Sequence, residues 1–90
     1  MLFMVVERFT GNDMAPVYRR LAERGRMLPD GVRYVTSWVA ADFSTCWQVM
    51  DCDDRARLDE WMANWAGAGV TFEATVPVVT SDEARAAWSL

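Results

Sequence analysis

Hydrophobic and polar positions alternate along this chain in two distinguishable rhythms. Residues 2–9 are apolar and rich in β-formers up to Glu7-Arg8, which predicts a first strand. Met14, Val17, Tyr18 and Leu21 then recur at helical spacing, with Asp13 placed to cap, Pro16 in the first turn and Gly25 to end the helix. Met27-Leu28-Pro29-Asp30-Gly31 carries a turn signal. Two strands, about 32–40 and 45–52, come next as a hairpin through Ala41-Asp42-Phe43-Ser44. Asp53 or Asp54 opens a second helix, Leu58, Trp61, Met62 and Trp65 share one of its faces, and Gly67-Ala68-Gly69 stops it. In a fourth strand, 70–79, Val70, Phe72, Ala74, Val76 and Val78 alternate with Thr71, Glu73 and Thr75, and Pro77 suits an edge strand or a bulge. Thr80 and Glu83 have capping-box spacing for a short last helix, whose Ala84, Ala87 and Trp88 form an apolar side.

The order β-α-β-β-α-β plus a terminal helix predicts an α+β, ferredoxin-like single domain over residues 1–90, with a four-stranded antiparallel sheet in the order 4-1-3-2. Two helices cover only one face of such a sheet. The other face is apolar as well, so the pattern predicts a homodimer through the sheet face; the alternative is a monomer whose terminal helix folds over it.

Composition narrows the chemistry. All nine basic residues are arginine, and histidine and lysine are absent, which removes the commonest general base, the commonest metal ligand and the Schiff-base nucleophile. A net charge of −4 argues against nucleic acid as a partner. No apolar run approaches the roughly 20 residues a membrane helix needs, and the apolar start lacks the features of a signal peptide, so a cytoplasmic location is expected. Cys46 and Cys52 on one strand would lie about 20 Å apart at ~3.3 Å per residue, too far for a disulfide, and read as inert thiols. Asp51, Asp53 and Asp54 lack the glycine and final glutamate of a calcium loop and read as helix capping; no metal or other cofactor is expected. Arg19, Arg20, Arg24 and Arg26 crowd one helix, and they read either as an anion site or, with Glu23 pairing Arg19, as a solvated face.

By strand parity, the face away from the helices holds Tyr34, Thr36 and Trp38, then Cys46, Gln48 and Met50, then Thr71, Glu73 and Thr75, with either Glu7 or Arg8 from the first strand. An aromatic wall with a few convergent polar groups suits a small-molecule site, which places Tyr34, Trp38, Gln48 and Glu73 around a ligand in a cavity between two sheets. An enclosed Glu73 could act as a general base beside a carbonyl, with Arg8 and Gln48 steadying a developing oxyanion. The competing reading pairs Glu73 with Arg8 as a structural ion pair. Trp61 and Trp65 read as packing, and Trp38 as core or interface on one reading and pocket wall on the other.

Several runs resemble a known pattern: residues 1–9, Val17-Tyr18-Arg19-Arg20, residues 24–31, Tyr34-Val35-Thr36-Ser37-Trp38, residues 46–54 and Val76-Pro77-Val78-Val79-Thr80-Ser81. Together they resemble an uncharacterised bacterial domain-of-unknown-function family within the dimeric α+β barrel superfamily. The resemblance covers nearly the whole chain and implies a ferredoxin-like dimer. The superfamily includes cofactor-free monooxygenases, haem-degrading enzymes, lactone isomerases, polyketide cyclases and ligand-sensing domains. Its haem-binding members generally use a histidine, absent here. Two functions are expected from the residues and the resemblance together: a module binding a small hydrophobic or carbonyl-containing molecule, or a metal- and haem-free isomerase, cyclase or oxygenase with Glu73 as base; a purely structural role is the remaining alternative.

Overall fold

The computed structural model describes residues 1–88. Its elements are β1 (Leu2–Phe9), α1 (Ala15–Arg24), β2 (Val32–Val39), β3 (Thr45–Cys52), α2 (Arg55–Asn64), β4 (Val70–Val78) and α3 (Ser81–Ala87), with a single 3-10 turn at Thr10–Asn12. The strands form one antiparallel sheet, β2-β3-β1-β4, which is the ferredoxin-like order expected from the sequence. No helix among the described residues is long and apolar enough to cross a membrane.

Local chemistry sets the element ends. The Asp13 carboxylate accepts from the Ala15 N–H at 2.9 Å, so the helix begins two residues beyond the predicted cap. Gly25, at φ 65°, terminates α1 in a conformation that side chains other than glycine rarely adopt. Asp54, rather than Asp53, caps α2 by accepting from Ala56 N–H at 2.9 Å. The Thr80–Glu83 capping box forms at α3.

The core lies between the sheet and the helices. Phe3, Val5 and Phe9 of β1, Cys46, Met50 and Cys52 of β3, Leu58 and Trp61 of α2, and Trp65 at its C-terminal cap are buried there. Two irregularities then upset the parity. Val35 has no partner in β3, because Tyr34 pairs with Met50 and Thr36 with Val49. Glu73 is likewise skipped, because Val6 pairs with Ala74 and Glu7 with Phe72. An extra residue in one strand moves every later side chain to the opposite face.

The two shifts correct the face assignment in β2 and β4, whereas β3, which pairs with β1 without a shift, has the opposite phase throughout. Tyr34, Cys46, Gln48 and Met50 lie on the helix-covered side, not the open one. Thr75 also faces the helices, where its hydroxyl meets the Met62 sulfur at 3.6 Å. Thr36, Trp38, Thr71 and Glu73 stand on the open face as expected, joined there by Arg8, while Glu7 turns inward. β3 is apolar on both sides, so its periodicity carried no phase.

The open face remains apolar: Val35, Trp38, Trp47 and Val76 are exposed, Trp38 at 56%. No residue of α3 is buried and Trp88 is 78% exposed, so the terminal helix does not cover that face.

Candidate functional site

Each central strand contributes one polar residue to an otherwise apolar inward series. In β1 it is Glu7, between Val5 and Phe9; in β3 it is Gln48, between Cys46 and Met50. Glu7 is 4% and Gln48 7% exposed, the only buried polar side chains among the described residues. Cys46 is the direct cross-strand partner of Glu7, and Gln48 stands diagonally from it on the same face. From there Gln48 Nε2 donates to Glu7 Oε1.

Arg26 completes the group from the loop after α1. Its Nη1 donates to Gln48 Oε1 at 3.2 Å, and its guanidinium lies 3.5 Å from the centre of the Tyr34 ring. The main chain at Arg26 is pinned from α2: Trp61 and Trp65 each donate an indole N–H to its carbonyl, at 3.0 and 2.9 Å. Tyr34 in turn shares a 2.6 Å hydrogen bond with Ser37.

Glu7, Gln48, Arg26, Trp61 and Trp65 border a partly open cavity of about 70 Å³ between sheet and helices, lined also by Phe9, Val17, Tyr18 and Leu21. Burial pushes the Glu7 carboxyl up from 4.5 to about 7, against the opposing pull of the Gln48 hydrogen bond and the Arg26 charge. Burial, reinforced by the Glu7 charge, pushes the Cys46 thiol up to about 12. Both cysteines are free and buried. Gln48 holds one Glu7 oxygen, and the described residues make no other hydrogen bond to that carboxyl. A carboxyl titrating near neutrality in a small, mostly apolar cavity can give or take a proton at physiological pH.

The predicted site residues divide into two groups. Gln48 and Tyr34 come together with Glu7 beneath the helices. Trp38, Arg8 and Glu73 stand on the open face, where Arg8 Nε and Glu73 Oε1 pair at 2.6 Å with both side chains well exposed. The structural ion pair is therefore formed, and a single chain does not enclose Glu73. Arg26 leaves the expected solvated face, and no Arg19–Glu23 pair forms among the described residues. Sequence reasoning missed Arg26 in this role and the indole N–H groups of Trp61 and Trp65. A signal for Glu7 and Gln48 was present in the series Phe3-x-Val5-x-Glu7-x-Phe9 and Cys46-x-Gln48-x-Met50-x-Cys52, each with one polar member.

No curated protein matches the chain. A crystal structure of an antibiotic biosynthesis monooxygenase is similar over 86% of this chain and 100% of that one, at 24% identity and a TM-score of 0.47. The sequence pattern of one family spans residues 1–89, and the chain belongs to that family, the domain of unknown function DUF3303.

Proposed function

We propose that the protein binds a small hydrophobic, carbonyl-containing molecule in the cavity between sheet and helices, with Glu7 facing its polar end. The observation that carries this reading is a carboxyl only 4% exposed, raised to about 7 and bonded at one oxygen while its neighbours are mostly apolar. At about 70 Å³ the cavity is smaller than the several hundred Å³ of a drug-sized site, so it receives a small molecule or the reactive end of a larger one. The chemistry available is removal of a proton next to a carbonyl, with Glu7 as base and the arginine and amide donors near the developing oxyanion.

The test is a screen of aromatic and polyketide-like carbonyl compounds against isotope-labelled protein. Binding here perturbs Gln48, Trp61 and Trp65 resonances and is weakened or made unproductive by Glu7→Gln. Hits that perturb only Trp38 and its open-face neighbours would instead support the second reading, a site at the sheet face with Glu73 and Arg8. That reading draws on the uncovered apolar surface around Val35, Trp38, Trp47 and Val76, which is also what supports a homodimer through this face.

A further inference from the structure

The contacts that end at Glu7 begin on α2. Trp61 and Trp65, about one helical turn apart, both donate to the Arg26 carbonyl, and Asn64 Nδ2 donates to the next carbonyl, Met27, at 3.0 Å. The loop they hold is sharply bent, with Gly25 at φ 65° and Met27 at φ 56°. With its main chain fixed in this way, Arg26 lays its guanidinium across Tyr34 and binds the oxygen of the Gln48 amide. An amide held at its oxygen by a cation directs its nitrogen away from that cation, and here the nitrogen meets Glu7.

We propose that Arg26 is the positioning residue for Glu7: acting through the Gln48 amide, it presents the carboxyl with a donor instead of an acceptor and so sets the ionised fraction available to take a proton. The inference deepens the proposed function and rests on it for the consequence, but its geometry involves no ligand. Among the described residues, Arg26 is the only charged one besides Glu7 that lines the cavity; the other titratable side chains there are Cys46 of β3 and Tyr18 of α1. Tyr34 of β2 lies beneath the guanidinium, α2 contributes the two indoles, and β4 places Phe72 opposite Glu7. Without Arg26, the Gln48 amide is free to turn its oxygen toward Glu7, which favours the protonated acid. The opposing attraction of the guanidinium is lost in the same step.

The experiment is a carbon-detected NMR titration of the Glu7 carboxyl in the unliganded protein. Arg26→Met is expected to raise the Glu7 midpoint by about one pH unit. Arg26→Lys recovers only part of that shift, because an ammonium carries the charge without the planar fork. In a Gln48→Leu background, Arg26→Met adds a clearly smaller shift, that of the direct attraction alone, since the amide through which it otherwise acts is gone. Trp65→Phe, which keeps an aromatic ring of smaller size and removes the indole N–H, moves the midpoint in the same direction by a smaller amount. An unchanged midpoint in Arg26→Met, full recovery by Arg26→Lys, or additive shifts from Arg26→Met and Gln48→Leu would overturn the proposal. Should Arg26→Met fail to fold, an unchanged midpoint in both Trp65→Phe and Gln48→Leu overturns it equally. Failure to find a ligand for the cavity leaves these titrations unaffected, so the two proposals fail separately.

Discussion

Gln48 donates to Glu7 across the two central strands, from a position diagonal to it on the helix-covered face. A hydrogen bond to the ionised form lowers a carboxyl's pKa, yet Glu7 rises to about 7 because burial is the larger effect. The site is thus set by a contest between desolvation and one well-placed amide.

That contest makes stability depend on pH in a defined direction. The folded Glu7 binds its proton more tightly than an unfolded glutamate at 4.5, so stability declines as pH rises from about 4.5 through about 7. The loss is on the order of 3 kcal/mol. Urea unfolding between pH 5 and pH 8 should show this decline, and Glu7→Gln should flatten it. A wild-type curve that is flat across the window contradicts the burial account.

The two indoles differ in what their loss costs. Trp65→Phe keeps most of the ring and removes one hydrogen bond to the Arg26 carbonyl, for a cost of about 1 kcal/mol. Trp61→Ala opens a cavity at a residue 2% exposed and should cost about 3–5 kcal/mol. Chemical denaturation of the two variants separates clamp from core.

Breaking the Arg8–Glu73 pair should matter little to the isolated chain. Both side chains are exposed, so Glu73→Gln is expected to change stability by less than about 1 kcal/mol and to leave binding in the Glu7 cavity intact. A Glu73→Gln variant that loses binding would move the site to the open face.

For the open face, the expected assembly is two copies. Sedimentation of the native chain at micromolar concentration should show twice the monomer mass. Trp38→Arg, which puts a charge on the exposed apolar surface, should shift the distribution to the monomer. A native chain that sediments only as monomer removes the homodimer.

Thiol chemistry supplies a further check on burial. Cys46, pushed up to about 12, and buried Cys52 should resist a neutral-pH thiol reagent in the native protein and react at once in denaturant. Rapid native labelling of Cys46 would show that the fold around this thiol opens to solvent.

Much of the architecture was legible in the chain. Helical spacing at Leu58, Trp61 and Trp65 marked the buried face of α2, and alternation with a proline marked β4 as an edge. Glu7 and Gln48 were visible as single polar residues in apolar series. Their meeting was not visible, because β3 is apolar on both sides and alternation alone cannot phase it. Arg26 looked like one of four surface arginines, since nothing local reveals that α2 bends its loop inward.

The sequence by itself determined the elements, their order, the antiparallel sheet and the absence of histidine and lysine chemistry, because these arise from periodicity, turn residues and composition. Only the tertiary structure decided which face each side chain serves. Single unpaired residues at Val35 and Glu73 reverse the parity of every later residue in their strands. Such register shifts depend on how neighbouring strands pair, which alternation within one strand does not encode. With histidine and lysine absent, the carboxyl that burial raises toward neutrality is Glu7 beneath the helices, while Glu73 pairs with Arg8 on the open face.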